Sequence, residues 1–367
     1  MDLEQTRTEN QERLTPHLSD IRSGKMLDAL EPFAKAYLGL YYQLDNTVPP
    51  LGRVEQLSGG ELYDAILEGF DNFLRGDSIP AAEEIGRIVV DGEQLEQGYI
   101  LLAALEEFCQ DDGARIEQLS ESVMRAAVCY QLAHGTYQTN NWMEHLFTQR
   151  DELVVETLLA FWQPFYEEGR ELLPGLASLL RGRRYPKITS AVSVSLLQRW
   201  SDCDPYTLRR LLQAALATGA RGELYEIARQ RIAELDSSDI KRRVYWLCTA
   251  YFIDPEQMGQ ELTNYMGRTK EKVLRLMDFS YELLQDDDIK QLIGAMDLAQ
   301  LMRLIAPIII RNEGRGGLLD EDSTKVLWMF EQFWDFPRQE RIEAISWLQT
   351  VRVMKVYDDV LRDLQAR

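Results

Sequence analysis

Side chains that commonly carry metal or redox chemistry are scarce in this sequence. Its four cysteines, Cys109, Cys129, Cys203 and Cys248, are widely separated, so none forms the close Cys or Cys/His pair of a structural zinc site. Cys129 and Cys248 lie in apolar segments, where a free cysteine behaves as a small core side chain. The sequence therefore predicts no metal site.

Histidine, the usual general acid or base, is equally rare. The chain has three histidines, His17, His134 and His145. His134 and His145 flank a turn-like segment that contains Gly135, and Glu144 immediately precedes His145. One hypothesis is therefore an enzyme with an unrecognised site near His134 and His145, with Glu144 beside them.

Phosphate-binding motifs are incomplete. The Ser-Gly-Lys sequence at residues 23–25 lacks the upstream glycine of a Walker A loop, because Ser19 stands at that position. The segment Gly314 to Leu319 lacks the last glycine of the dinucleotide-binding pattern and follows no predicted strand. The acidic run that starts at Asp286 is interpreted as a helix cap, not as an ion site. We therefore predict no cofactor and no catalytic residue.

Basic residues, in contrast, recur with regular spacing in the second half. The steps from Arg209 to Lys241, Lys272 and Arg303 are 32, 31 and 31 residues. On equivalent helices they would line one ridge, suited to an acidic protein groove, a phosphodiester backbone or the chain's own acidic half. Trp142, in the polar segment TNNWMEH, is predicted to be an exposed interface anchor. The candidate partner-binding residues are Arg209, Arg210, Lys241, Arg242, Arg243, Lys270, Lys272, Arg303 and Trp142.

Helices are the elements that must position these residues. Leu62, Ile66, Phe70 and Phe73 follow one another at the spacing of a buried helix face, and similar stripes recur along the chain. The 23 Gly and 12 Pro residues are too few for the many turns of a sandwich or barrel. The sequence therefore predicts an all-α protein.

Helix starts in the second half have the spacing of a repeat. Asp204 and Asp254 each precede a proline, which places an N-cap acceptor before a residue suited to the first helical position. Helices are predicted to start near Tyr206, Arg221, Ser238, Pro255, Lys270 and Asp288, in steps of about 16 residues. Because a single hairpin cannot bury its apolar face, we expect an α-solenoid of stacked helical hairpins, HEAT-like, with two-helix units of about 32 residues.

Charge divides the chain in two. Residues 1–180 contain 12 Lys and Arg against 32 Asp and Glu, so 12 − 32 gives −20, whereas residues 181–367 contain 28 of each. The change coincides with the basic segment RGRRYPK at residues 181–187. This predicts an acidic helical domain at 1–180 and a helical-repeat domain at 181–367. The polar first residues and the lack of a long apolar run predict a soluble cytoplasmic protein with no membrane contact.

The segment IKRRVYWLCTAYFIDPEQMGQEL, followed by GRTKEKVLRLMDF, resembles the helical-repeat region downstream of the ATPase core in bacterial NACHT-type STAND proteins. The resemblance covers about residues 200–350. It implies a region that senses an invader's protein and releases an oligomerising NTPase, often in antiviral defence. Since the sequence contains no Walker A motif, the chain is expected to be a detached sensor portion or a stand-alone relative.

The leading expectation is a non-enzymatic helical scaffold that binds a protein partner, as a sensor or adaptor in a bacterial antiviral defence system. The alternative is a nucleic-acid-associated regulator that uses the basic ridge of the second half. The enzyme near His134 and His145 is the third hypothesis.

Overall fold

The computed structural model describes residues 3–41, 43–76, 79–93, 95–134, 140–182, 184–200, 202–236, 238–309 and 321–351. These residues form 21 α-helices and short 3₁₀ helices, with no β-strand among them, which confirms the all-α prediction. Gly135, Arg183 and the glycine-rich segment Gly314 to Leu319 lie outside the described residues.

Contacts divide the chain into two compact units, Met1–Ile188 and Thr189–Arg367. The first unit contains α1 (Leu3–Leu14), α2 (Leu18–Arg22), α3 (Leu27–Tyr37), α4 (Pro50–Leu57), α5 (Gly60–Leu74), α6 (Ala82–Asp91), α7 (Glu96–Phe108), α8 (Glu121–His134), α9 (Asn141–Gln149), α10 (Asp151–Glu167) and α11 (Leu176–Gly182). Helix α12 (Pro186–Arg199) contains the division point.

The second unit continues with α13 (Pro205–Ala217), α14 (Arg221–Glu234), α15 (Ile240–Ile253), α16 (Pro255–Met266), α17 (Lys270–Leu284), α18 (Asp287–Lys290), α19 (Ala295–Ile309), α20 (Glu321–Glu331) and α21 (Arg338–Thr350). Short 3₁₀ helices lie at Thr15–His17, Gly113–Gln118 and Gln332–Asp335. The helix starts predicted in this half agree with these bounds to within two residues.

The contact division falls after Ile188, whereas the change in charge falls after residue 180. The four basic residues of 181–187 therefore belong to the first unit, whose net charge is 16 − 32, or −16, and the second unit has 24 − 28, or −4. Within the first unit, Arg184 pairs with Glu144 at 2.7 Å and Lys187 lies 3.6 Å from Asp151.

Aspartate caps lie at four of the six helix starts that the sequence predicts, those of α13, α15, α16 and α18. Asp204 accepts hydrogen bonds from the backbone N–H groups of Tyr206 and Thr207 at 2.8 and 3.1 Å. Asp254 caps α16, and Asp286 caps α18 in the same way. A cap satisfies N–H groups that have no partner inside the helix, so each start is fixed by local hydrogen bonding.

Alternate helices of the second unit form a layer. Helix α15 contacts both α13 and α17, and the series continues from α17 to α19 and from α19 to α21. Helices α14 and α16 pack against α15, and α20 packs against α17 and α19. This is the packing of stacked helical hairpins, in which each pair buries its apolar face against its neighbours.

Close helix contacts in the first unit depend on glycine. A Cβ atom on Gly86 of α6 would lie 2.3 Å from the carbonyl oxygen of Phe161 in α10, and one on Gly69 of α5 would lie 2.4 Å from the carbonyl oxygen of Ile21. Since both obstacles are backbone atoms, neither can move aside as a flexible side chain would. These two glycines therefore set the distance between the packed helices.

We expect Gly86→Ala to destabilise the first unit by about 2 kcal/mol, because the added methyl group forces α6 away from α10. The matched control is Gly222→Ala in α14, where, in the described part of the chain, no atom beyond the adjacent residues and the helix's own backbone lies within 4 Å of the added Cβ. Alanine is the better helix former, so this control should cost nothing or add a few tenths of a kcal/mol. Urea unfolding followed by circular dichroism measures both, and an equal loss in the two variants would contradict the packing argument.

Candidate binding surface

The first turn of α13 presents an exposed aromatic ring. Leu208, Leu211 and Leu212 point into the core, while Tyr206 lies roughly 200° around the helix from Leu208. Tyr206 is 58% exposed, and among the residues that the structure describes no other Phe, Trp or Tyr is as exposed. The Asp204 cap holds this turn in a fixed orientation.

Two arginines flank this ring. The guanidinium carbons of Arg209 and Arg210 lie 5.9 and 5.5 Å from the centroid of the Tyr206 ring, within the range of a cation–π contact. Arg210 is exposed, and Arg209 is half-buried. We refer to Tyr206, Arg209 and Arg210 as the α13 patch. Tyrosine and arginine are the residue types enriched at the energetic centres of protein interfaces.

Arg209 also reaches α17. Its Nη1 atom lies 2.9 Å from a carboxylate oxygen of Glu282, and the two side chains are 22% and 32% exposed. Burial raises the pKa of Glu282, and the charge of Arg209 opposes that shift. One turn earlier, Asp278 pairs with Lys325 of α20 at 3.0 Å. Helix α17 thus offers two successive carboxylates to cations from two different helices.

Three other residues of the predicted ridge make contacts within the second unit. Arg242 donates to the carbonyl oxygen of Cys203 at 2.8 Å and so links α15 to the segment just before α13. Arg243 and Lys272 both lie over the Tyr265 ring, at 5.2 and 3.7 Å from its centroid, and Lys272 also donates to the Tyr265 carbonyl oxygen at 2.8 Å. Their cationic groups are therefore committed to contacts within the stack.

The remaining members of the ridge are on the surface. Arg210, Lys241, Lys270 and Arg303 are exposed, on α13, α15, α17 and α19 respectively. Arg303 lies 5.6 Å from the Trp347 ring centroid. The regular spacing in the sequence thus selects residues of two kinds, and their role in binding a partner stays a prediction.

The exposed position predicted for Trp142 is wrong. The side chain is 1% exposed, because the polar segment around it starts helix α9 and Trp142 shares that helix's buried side with Leu146. The neighbouring polar residues occupy the other faces of the helix. The nearby 3₁₀ helix packs closely, since a Cβ on Gly113 would lie 3.0 Å from the Trp142 backbone nitrogen.

The residues of the enzyme hypothesis have separate partners. His134, at the end of α8, stacks on Tyr99 of α7 with ring centroids 4.0 Å apart. His145 Nε2 lies 3.2 Å from Glu117, and Glu144 pairs with Arg184. Among the described residues no group of three or more His, Cys, Asp or Glu is placed to hold a metal ion.

No family model, curated protein or solved structure matches this chain. No helix of the described ranges is both long enough and apolar enough to cross a membrane. An open depression between α12 and α14 is lined mainly by polar side chains, among them Gln198, Glu223 and Arg231. The α13 patch is distinguished from it by the exposed aromatic ring.

Sequence reasoning missed Tyr206 as a functional candidate and used it only as a helix start. A signal was present, because helical spacing places Tyr206 away from the stripe of Leu208, Leu211 and Leu212. Many exposed positions have that property, however, and the low exposure of the other aromatic rings is visible only in the folded chain.

Burial and, to a smaller extent, the nearby charge of Lys35 lower the pKa of His134 to about 4. A hydrogen bond to the Leu95 carbonyl group acts in the opposite direction and raises this pKa. Between that value and the usual 6.5, the unfolded chain binds the extra proton, so we expect the free energy of unfolding to decrease as the pH falls through this window. The loss is at most about 3 kcal/mol.

His134→Asn removes the titrating ring but keeps an N–H donor for Leu95, so its stability should fall less than that of the wild type between pH 6.5 and 4. Chemical unfolding at a series of pH values measures this difference. Parallel pH profiles for the two proteins would show that His134 does not titrate as described.

Proposed function

We propose that this chain is a non-enzymatic helical scaffold that binds a protein partner, with the α13 patch at the centre of its binding surface. The supporting observation is the 58% exposure of Tyr206 between two arginines, in a chain whose other described aromatic rings are at least partly covered. A tyrosine side chain supplies a large contact area with only two rotatable bonds to fix, so it binds at low entropic cost.

The patch is also rigidly held, which favours binding. Asp204 caps the first turn of α13, and Arg242 fixes the preceding segment through the carbonyl oxygen of Cys203. A surface that is ordered before the partner arrives loses less conformational entropy on association. The packing of α13 against α15 supports the same turn from within the stack.

We further propose that the partner is sensed in bacterial antiviral defence, in the cytoplasm. The support is the resemblance of residues 200–350 to the sensor part of NACHT-type STAND proteins. That segment includes α13 to α21. In this proposal the scaffold reports the partner to an oligomerising NTPase, as a sensor or adaptor.

A nucleic-acid-associated regulator is the second candidate. Its support is that Arg210, Lys241, Lys270 and Arg303 remain exposed on four helices of the stack. Phosphate binding depends on several cations acting together, and Arg242 is already committed to a carbonyl oxygen. We therefore favour the protein partner.

The test is affinity capture from a lysate of the source organism with quantitative mass spectrometry. Tyr206→Ala combined with Arg210→Ala should reduce the capture of a specific protein at least about tenfold, because loss of an interface centre costs about 2 kcal/mol or more. Leu172→Ala, at an 84% exposed position of the first unit, is the control and should capture that protein as the wild type does.

Circular dichroism of the variants checks that the fold is kept. Equal capture by the wild type and the double variant would reject the α13 patch. Capture of nucleic acid that is lost steeply with added salt and with the double variant would favour the second candidate.

A further inference from the structure

We propose that the α13 patch binds an acidic peptide segment of the partner. In the free protein Glu282 pairs with Arg209, and it therefore competes with the carboxylates of that segment for the Arg209 guanidinium group. The inference rests on the proposed function and adds the chemistry of the partner. It also assigns a role to the ion pair between α13 and α17.

Arg209 is a shared residue. Its guanidinium group contacts the exposed Tyr206 ring and, through Nη1, the Glu282 carboxylate at 2.9 Å. The Nε atom of Arg209 is buried and has no hydrogen-bond partner among the residues that the structure describes. A guanidinium group binds a carboxylate most strongly through two parallel N–H groups, so the contact with Glu282 leaves part of this capacity unused.

The free energy of the pair between Arg209 and Glu282 is small enough for a carboxylate of the partner to displace Glu282. An ion pair between partly exposed side chains contributes about 0 to 1 kcal/mol, so the internal contact is weak enough to exchange. Burial of Glu282 penalises its charged form, which further limits what the pair contributes. A peptide carboxylate that also covers Tyr206 would gain apolar contact that Glu282 does not provide.

Arg210 provides the attraction that an incoming acidic segment needs. It is exposed, lies over the same ring and also acts electrostatically on Glu282. An acidic segment that binds Arg210 at the surface is therefore placed beside Arg209. Displacement of Glu282 then releases a contact between α13 and α17, which couples binding to the packing of the stack.

Charge favours a short acidic peptide over nucleic acid. The whole chain carries −20 and the second unit carries −4, from 24 − 28. A long polyanion needs neutralisation at many phosphates along its length, whereas a peptide with a few carboxylates needs only the local cations of the α13 patch. Among the described residues, the anionic group in contact with Arg209 is the carboxylate of Glu282.

The probe is a fluorescein-labelled peptide of about eight residues that contains a few glutamates and one leucine, followed by fluorescence anisotropy at about 50 mM salt, where surface charges are screened less than at physiological ionic strength. We expect Glu282→Gln to bind this peptide about two- to fivefold more tightly than the wild type, because Arg209 is freed from a pair that contributes at most about 1 kcal/mol. Arg210→Glu and Tyr206→Ala should each weaken binding at least about tenfold.

Asp278→Asn is the matched control. It removes the neighbouring carboxylate, one turn away on the same helix and paired with Lys325, and should change the affinity less than about twofold. An equal gain in Glu282→Gln and Asp278→Asn would mean a general charge effect and would overturn the competition. Absence of peptide binding in all proteins, or tighter binding of a thymidine oligonucleotide of equal length, would also overturn the proposal.

The two proposals fail separately. If the Tyr206 and Arg210 double variant loses the captured protein but Glu282→Gln leaves peptide binding unchanged, the scaffold function stands and the internal competitor is rejected. If capture does not depend on the α13 patch, the proposed function falls whatever the peptide experiment gives.

Discussion

The burial of α15 is the constraint on which the second unit depends. All nine residues from Val244 to Phe252 are buried, so this helix has contacts on every side, unlike a surface helix with one apolar stripe. It packs against α13, α14, α16 and α17. Four helices of the second unit therefore share α15 as a packing partner, while α17 also packs against α19 and α20.

A polar contact at the start of α15 also holds a surface segment in place. Arg242 joins α15 to the Cys203 carbonyl oxygen, directly before the capped turn that carries Tyr206. The α13 patch is therefore exposed but not loose. Two further basic residues of the predicted ridge, Arg243 and Lys272, are used within the fold in the same way, because both pack over the Tyr265 ring.

The helices of the first unit pack in a different order from those of the second. Its contacts do not follow one repeating order, since α7 packs against α3, α5 and α8, while α6 packs against α10 and α8. Glycine permits the closest approaches, and Arg53, only 8% exposed, donates to the Ala36 carbonyl oxygen at 2.9 Å at the end of α3. A buried guanidinium group there satisfies backbone acceptors that a helix end leaves unpaired.

Sequence alone determined the helical class, the six helix starts from α13 to α18 and the position of capping residues such as Asp204 and Asp254. These features depend on hydrogen bonds and apolar spacing within a few residues. Tertiary structure decided the burial of Trp142, the exposure of Tyr206 and the commitment of Arg242. Each of these depends on residues far apart in the chain, as with the 39 positions that separate Arg242 from Cys203, and no local pattern records which distant groups will meet.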